Sequence, residues 1–327
     1  MTKLAIAGAT GLVGRKMLET VDRKNISFDE LVLFSSARSA GEKIEFQGKT
    51  YTVKELTEEA ASEHYDYVLM SAGGSTSAHF SPIFEQAGAI VIDNSSQWRM
   101  ADDIDLIVPE VNEPVWKRKI IANPNCSTIQ SVVPLVKLHK ELKIKRIVYS
   151  TYQAVSGSGV GGIKDLENGI NGEENKKYPH QIAYNCLPHI DEFLDNGYTK
   201  EEMKMINETK KILNDEDIRI TATTVRVPVK YGHSVCINLE FENTFEMDQI
   251  YKLLQETEGV NIIDDVKNNV YPMPIDIEGK DEVYVGRIRR DYSVENGINM
   301  WVVADNIRKG AATNAVQIAE LLIKKLK

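Results

Sequence analysis

Basic residues are in the minority in this chain, cysteine is scarce, and no long apolar run occurs. Lysine and arginine total 39 against 48 aspartates and glutamates, a formal net charge of −9. That balance excludes the clustered basic surface that nucleic-acid binding requires. It leaves anionic small molecules open, because a few local cations can build a positive pocket in an acidic protein. The three cysteines, Cys126, Cys186 and Cys236, are odd in number and far apart, the layout of neither a disulfide framework nor a metal cluster. No metal is expected, and each thiol is read as reduced and open to chemistry. No apolar stretch approaches the roughly 18–20 residues that cross a bilayer. Met1 to Gly8 run straight into a strand, without the charged, apolar, small-residue layout of a signal peptide. The expectation is a cytoplasmic protein with no membrane and no nucleic-acid partner. Internal repeats and low-complexity tracts are also missing.

What is present is a globular composition, 42% hydrophobic and 27% charged over 327 residues, long enough for two domains. The first half alternates short apolar runs (Leu4–Ala7, Leu31–Phe34, Tyr67–Met70, Ala89–Ile92) with helix-like stretches, Leu12–Val21 and Phe80–Ala87 the clearest. Strands apolar throughout and interleaved with helices predict a doubly wound parallel sheet of Rossmann type. After residue 126 the period changes to two: Val235, Ile237, Leu239 and Phe241 alternate with Cys236, Asn238, Glu240 and Glu242. Val283 and Val285, then Ile298, Met300 and Val302, continue the pattern. That predicts a largely antiparallel sheet with one face on helices and the other meeting a partner subunit. A final helix over 309–326, with Ala312, Ala315, Val316, Ala319 and Leu322 on one stripe, is expected to return to the first domain. Gly- and Asn-rich stretches at 156–162 and 168–175 read as loops.

Gly8-Ala-Thr-Gly11-Leu-Val-Gly14 follows the first strand and opens the first helix. A tight turn, close backbone approach and a free helix N-terminus are what a pyrophosphate needs. The spacing is not the standard G-x-G-x-x-G, so the strand before and helix after it carry much of the weight. NAD sites usually place a carboxylate near the end of the second strand. Here Phe34-Ser-Ser-Ala-Arg38-Ser39 offers hydroxyls and an arginine, which suit a 2′-phosphate and favour NADP. An arginine merely exposed in a polar loop is the alternative.

Asn123-Pro-Asn-Cys126-Ser-Thr128 stands before Ile129 to Leu142, which reads as one amphipathic helix. A thiol at a helix start is favoured as thiolate and lies near N–H groups that can hold an oxyanion. A buried structural cysteine is the alternative, and the polar setting speaks against it. A thiolate beside a nicotinamide suggests attack on a carbonyl followed by hydride exchange. His233, at a Gly-containing turn between strands, suits proton transfer; Arg226 on the preceding strand suits a carboxylate. A structural histidine and a surface arginine are equally compatible with those positions. Arg99 lies beyond the last of the four apolar runs, where ligand crevices form, and phosphate binding and plain exposure both fit it. Glu201 and Lys204, three apart on a helix, read by spacing alone as a surface ion pair.

These motifs, with Ser36-Ala-Arg-Ser-Ala-Gly41, Tyr152-Gln-Ala-Val-Ser-Gly157, Arg226-Val-Pro-Val229, Gly232-His-Ser234 and Asp305-Asn-Ile-Arg-Lys-Gly310, resemble aspartate-semialdehyde dehydrogenases from end to end. The fit is nearest the bacterial branch found in Gram-positive organisms. Trp98 stands where that family often has phenylalanine, and the segment 158–181 differs among its branches. The resemblance implies reduction of L-aspartyl-4-phosphate by NADPH to L-aspartate 4-semialdehyde and inorganic phosphate, in lysine/diaminopimelate, methionine and threonine biosynthesis.

By the same resemblance Cys126 is the thioester nucleophile, His233 the acid/base and Gln153 the residue orienting the acyl group. Arg226 grips the α-carboxylate and Glu201 receives the α-ammonium, which replaces the surface-pair reading. Arg99, Asn125 and Lys204 hold phosphate. Gly8, Thr10, Gly11, Leu12, Val13, Gly14, Ser36, Arg38, Ser39, Ser156, Gly157 and Asn306 line NADP(H). The implied architecture is an NADP-binding domain over 1–125 with 306–327. A central α+β catalytic and dimerisation domain of the glyceraldehyde-3-phosphate-dehydrogenase-like type spans 126–305, in a homodimer or a homotetramer. An N-acetyl-glutamyl-phosphate reductase shares this logic but needs no partner for an ammonium. A non-catalytic NADP(H) sensor would need neither the cysteine nor Gln153, Arg226 and His233.

Overall fold

Strands in the first part of the chain are apolar along their length because both of their faces are covered. The computed structural model describes residues 2–326. The chain divides into two compact units, Met1–Pro124 with Ala311–Lys327, and Asn125–Gly310.

The first unit is built on seven parallel strands: β1 (Lys3–Ala7), β2 (Glu30–Ser35), β5 (Lys54–Glu55), β6 (Tyr67–Met70), β7 (Ile90–Asp93), β8 (Asp105–Leu106) and β9 (Ile120–Ala122). Their order is β5-β2-β1-β6-β7-β9-β8, and a hairpin of β3 (Lys43–Phe46) and β4 (Lys49–Thr52) stands apart. Alternate residues supply the two faces. Leu4 and Ile6, Leu31 and Leu33, Leu69, Ile90 and Ile92 share a core with Met17, Leu18 and Val21 of helix α1 (Leu12–Arg23). Phe34 points to the other face, where its ring meets Tyr65 and Phe84 at 5.9 and 6.3 Å. Phe84 comes from helix α3 (Gly74–Gln86), after a short α2 (Glu58–Ala61). The chain runs one way from β1 to β2 and the other way to β6, so the ends of β1 and β6 form the switch point where ligands bind in such sheets.

The second unit carries a mixed sheet of β10 (Ile144–Gln153), β11 (Arg219–Arg226), β12 (His233–Phe241), β13 (Val260–Ile262), β14 (Val283–Asp291) and β15 (Gly297–Ala304), ordered β11-β10-β12-β15-β14-β13. The pairs β10–β12, β12–β15 and β14–β15 are antiparallel, while β10–β11 and β13–β14 are parallel. The period of two is kept: Ile147, Tyr149, Thr151, Val235, Ile237 and Leu239 are buried, while Tyr152 is exposed and Cys236, Asn238 and Trp301 half-buried. The helices are α4 (Cys126–Val132), α5 (Leu135–Leu142), α6 (Gly159–Ile170), α7 (Lys200–Leu213), α8 (Met247–Gln255) and the short α9 (Pro274–Ile277).

Several expectations need correction. The single helix over 129–142 is two, because Pro134 cannot donate the N–H that would continue the first. The first begins at Cys126 itself. Much of the glycine-rich 156–162 and 168–175 is helical: a 3₁₀ turn Val155–Ser158 leads directly into α6. The final helix starts as a π-helix over Arg308–Thr313 and becomes α10 (Asn314–Leu326), whose residues Ala315, Val316, Ala319 and Leu322 pack into the first unit's core with Ala312. The stretch 306–310, expected with the nucleotide domain, belongs to the second unit. Asp305 ties it there by accepting from Ile307, Arg308 and Gly279 N–H groups. Among the described residues no helix is long and apolar enough to cross a membrane.

Candidate active site

At the end of β1 the backbone turns under Gly8, whose φ of +85° favours glycine. A Cβ there would stand 2.2 Å from the Ser71 carbonyl oxygen, and one on Gly14 would stand 2.2 Å from that of Gly8. The turn and the first turn of α1 therefore fit together only as glycines. Gly11 caps α1 without a side-chain acceptor, and no acidic residue occupies its first turn. The N–H groups at this helix start are thus left facing outward, as an anion requires. Thr10 Oγ1 and Ser35 Oγ, 2.7 Å apart, join the turn to β2. Beyond β2, Ser36 and Arg38 are exposed and Ser39 half-buried, with no carboxylate between Phe34 and Ser39. A second uncapped helix start, Gly73 before α3, follows β6. It was not singled out from the sequence, although Gly73-Gly74-Ser75-Thr76 offered a signal.

Arg99 is buried, so the plain exposed reading does not hold. Its Nε donates to the Asn123 carbonyl at 3.0 Å and Nη2 to that of Asn94 at 2.8 Å. Asn123 is itself fixed: its Oδ1 accepts from Asn314 Nδ2 at 2.7 Å.

In the second unit Cys126 is the first residue of α4, partly exposed among buried neighbours. Asn125 is its N-cap, with Oδ1 accepting from Ser127 N–H at 3.0 Å and Thr128 N–H at 3.3 Å. Asn125 Nδ2 donates to Glu201 Oε1 at 2.9 Å, which also accepts from Gln153 Nε2 at 3.1 Å. The backbone N–H of Asn125 donates to Glu208 Oε2 at 2.7 Å. Glu208 was missed in the sequence. Seven residues after Glu201, it repeats that residue's face of α7, which is the signal that could have found it.

Glu201 is 5% exposed and far from a surface ion pair. Lys204 Nζ bonds its Oε2 at 3.1 Å and Asp191 Oδ2 at 2.6 Å. Burial pushes the Glu201 carboxyl upward, but the Lys204 ammonium and the bonds from Asn125, Gln153 and Lys204 hold it below the ordinary glutamate range.

His233 is fully buried at the start of β12. Its Nδ1 accepts the Ala154 N–H at 2.9 Å, which assigns the ring proton of the neutral form to Nε2. Among the described residues that Nε2 has no hydrogen-bond partner. Burial, and then the Arg226 charge, hold the imidazole well below its usual pKa. Arg226, 4% exposed, donates from Nη1 to the Ala154 carbonyl at 2.7 Å. Gly157 is exposed above both: a Cβ on it would lie 2.8 Å from Arg226 Nη1 and 3.2 Å from His233 Nε2. There is no room for a side chain at that position against these two groups. Gln130, one turn after Cys126 on α4, donates to the His233 carbonyl at 3.1 Å. Asn306 Nδ2 donates to Ser156 Oγ at 3.0 Å, and its Oδ1 accepts from Gly232 N–H at 3.0 Å. A Cβ on Gly310 would meet the Cys126 Cβ at 2.9 Å. The second unit thus joins Asn125, Gln153 and the buried Glu201 carboxylate next to the thiol, and brings the buried His233 imidazole and Arg226 guanidinium together on Ala154.

Residues 3–118 match the family described as semialdehyde dehydrogenase, NAD binding domain, and 135–309 its dimerisation domain. The aspartate-semialdehyde dehydrogenase of Aquifex aeolicus is 54% identical, over 98% of each chain. That of Bacillus subtilis is 47% identical, over 98% of this chain and 97% of its own. The crystal structure of Vibrio cholerae aspartate semialdehyde dehydrogenase II complexed with ASA superposes with a TM-score of 0.95 at 47% identity, covering 99% of this chain and 98% of that one. The chain belongs to the aspartate-semialdehyde dehydrogenase family.

As a member it is an oxidoreductase of amino-acid biosynthesis, built from a nicotinamide-nucleotide-binding domain and a mixed-sheet domain. A Candida albicans aspartate semialdehyde dehydrogenase solved with NADP has a TM-score of 0.77 at 25% identity, covering 98% of each chain. Among the described residues, no cluster of three or more histidine, cysteine and acidic side chains could hold a metal ion in this aspartate-semialdehyde dehydrogenase.

Proposed function

We propose that the protein reduces L-aspartyl-4-phosphate to L-aspartate 4-semialdehyde through a thioester on Cys126, with NADPH as reductant. The observation that carries the reading is the pair of bonds by which Asn125 and Gln153 hold the buried Glu201 carboxylate beside the residue that opens α4. A buried anion with side-chain amides around it suits an α-ammonium. An N-acetylated substrate would bring no ammonium to that anion, which disfavours the N-acetyl-glutamyl-phosphate reductase alternative.

In this reading the Cys126 thiolate, favoured by the N–H groups at its helix start, attacks the acyl carbon. The C–S bond forms, the bond from the acyl carbon to the phosphate oxygen breaks, and phosphate leaves; Arg99, Asn125 and Lys204 are the residues proposed to hold it. Gln153 orients the acyl oxygen. Arg226 grips the α-carboxylate, Glu201 receives the α-ammonium, and His233 exchanges a proton at Nε2 with the thiohemiacetal oxygen. When bound, NADPH supplies the hydride that reduces the thioester. The residues that would hold it are the Gly8–Gly14 turn with Thr10, Gly11, Leu12 and Val13, then Ser36, Arg38 and Ser39 for its 2′-phosphate. Ser156, Gly157 and Asn306 would complete the cofactor's lining, with Asn306 near the nicotinamide end. The glycine turn without room for a Cβ and a second strand ending without a carboxylate support that fit.

The half-exposed face of the mixed sheet, with Tyr152, Cys236 and Trp301, suits a homodimer, and dimers pairing into a tetramer are the further option. Free cysteines and a biosynthetic role support a cytoplasmic location. The test is the reverse reaction, NADP reduction with L-aspartate 4-semialdehyde and phosphate, beside N-acetyl-glutamate semialdehyde. Turnover confined to the first substrate is expected; turnover confined to the second would overturn the reading.

A further inference from the structure

The segment 158–181 holds a carboxylate shielded from solvent by its own backbone. Asp165 on α6 is 1% exposed and accepts from the backbone N–H groups of Lys176, Lys177 and Tyr178 at 2.8, 2.7 and 2.8 Å. Burial pushes its carboxyl up, and those N–H donors outweigh it, so the group stays ionised. A carboxylate committed to these amides fixes the course of the backbone there, and with it the direction of the Tyr178 side chain.

Tyr178 reaches back over the turn that carries Gly157. Its hydroxyl lies 3.4 Å from the Val155 carbonyl oxygen. The guanidinium carbon of Arg226 stands 6.0 Å from its ring centroid. Room for this is made by Gly162, where a Cβ would fall 2.6 Å from the Tyr178 hydroxyl. Arg226 itself is 4% exposed, donates Nη1 to the Ala154 carbonyl, and has an Nε without a hydrogen-bond partner among the described residues. A buried guanidinium with an unmatched N–H is a site prepared for an acceptor from outside the chain.

We propose that Tyr178 is a positioning residue for Arg226, its ring held against the guanidinium by the Asp165-anchored loop so that the open N–H groups meet the substrate carboxylate. The face of an aromatic ring attracts a guanidinium and keeps water from it. With one side covered and one N–H fixed, the guanidinium keeps a single orientation and its free N–H groups act in a drier setting. The segment 158–181 thereby acquires a part in recognising substrate. The proposal rests on Arg226 as the carboxylate clamp.

The experiment compares steady-state constants of the full-length enzyme in the semialdehyde direction. Tyr178→Leu should raise KM for aspartate semialdehyde roughly tenfold, with kcat and KM for NADP within about twofold. Tyr178→Phe keeps the ring and should stay near wild type. Activity with 3-aminopropanal, which lacks the carboxylate, should be equal in Tyr178→Leu and wild type, a selectivity that a general loss of structure would not produce. Asp165→Asn should show the same KM-only rise, and it carries the test if Tyr178→Leu does not fold. Arg226→Lys separates the two ideas: if it leaves KM unchanged, the clamp reading itself fails. If Arg226→Lys raises KM while Tyr178→Leu and Asp165→Asn do not, or if Tyr178→Leu weakens both aldehydes equally, the positioning role is overturned.

Discussion

The backbone N–H of Ala154 donates to Nδ1 of His233 at 2.9 Å, while the Ala154 carbonyl takes the Arg226 guanidinium at 2.7 Å. One residue, Ala154, just past the end of β10, therefore orients both groups. It also leaves the ring proton of the neutral imidazole on Nε2, which has no hydrogen-bond partner among the described residues.

Burial and the neighbouring Arg226 lower the His233 pKa well below its usual value. In the unfolded chain the same ring protonates near about 6.5. Below that pH the unfolded state binds a proton that the folded state refuses, so stability is full above about pH 6.5 and falls as pH drops toward the folded-state value. The slope is at most about 1.4 kcal/mol per pH unit. Denaturant unfolding between pH 7 and 5 should show a steeper loss for wild type than for His233→Gln. Nitrogen-15 NMR should find Nε2 protonated and Nδ1 bare at neutral pH.

Gly157 does not have a positive φ, so alanine is allowed there by the backbone and only its methyl group matters. That methyl would press on Arg226 Nη1 and His233 Nε2. Gly157→Ala should fold with an unfolding midpoint close to wild type and lose at least about 100-fold in kcat/KM, close to 2.7 kcal/mol. Steady-state kinetics beside circular dichroism melts check both halves.

Glu201 owes its ionised state first to Lys204. Its folded pKa is depressed, so its contribution to stability is present above the ordinary glutamate value of about 4.3 and is lost as pH falls through the folded value. Lys204→Met leaves a buried carboxylate short of its cation, a change that typically costs about 3–5 kcal/mol. The carboxyl should then titrate at higher pH, and kcat/KM should gain an acidic limb absent from wild type. A pH–rate profile of the variant reads this directly.

Much of this arrangement was legible in the sequence, and the parts that were not share a cause. Parallel strands such as Leu31–Phe34 announce themselves because burial on both faces makes every residue apolar, and Gly8 and Gly14 mark a turn that cannot hold a Cβ. Cys126 stood out by its polar neighbours before a helix. Glu201 did not: three residues from Lys204 it reads as a surface pair, and the bonds that bury it come from Asn125 and Gln153, far away in the chain. The helix over Gly159–Ile170 was hidden by four glycines. Two of them, Gly162 and Gly169, are buried where a Cβ would meet Tyr178 or Ala183 at 2.6–2.8 Å. Tertiary contact set those residues against their own helix propensity.

The cofactor reading depends on the loop after β2. Arg38→Ala should raise KM for NADP by about tenfold or more, the scale of one lost charge-assisted contact, and leave KM for NAD unchanged. Initial rates with each cofactor decide it; an equal change for both would place Arg38 outside the 2′-phosphate site.

The central claim is that Cys126 carries the acyl group. Its most direct test is intact-protein and peptide mass spectrometry after mixing the enzyme with aspartate semialdehyde and NADP in the absence of phosphate. The account predicts a thioester adduct on the peptide containing Cys126, discharged when phosphate is added, and neither adduct nor turnover in Cys126→Ala. Phosphate-dependent turnover retained by Cys126→Ala, or an adduct on another residue, would contradict it.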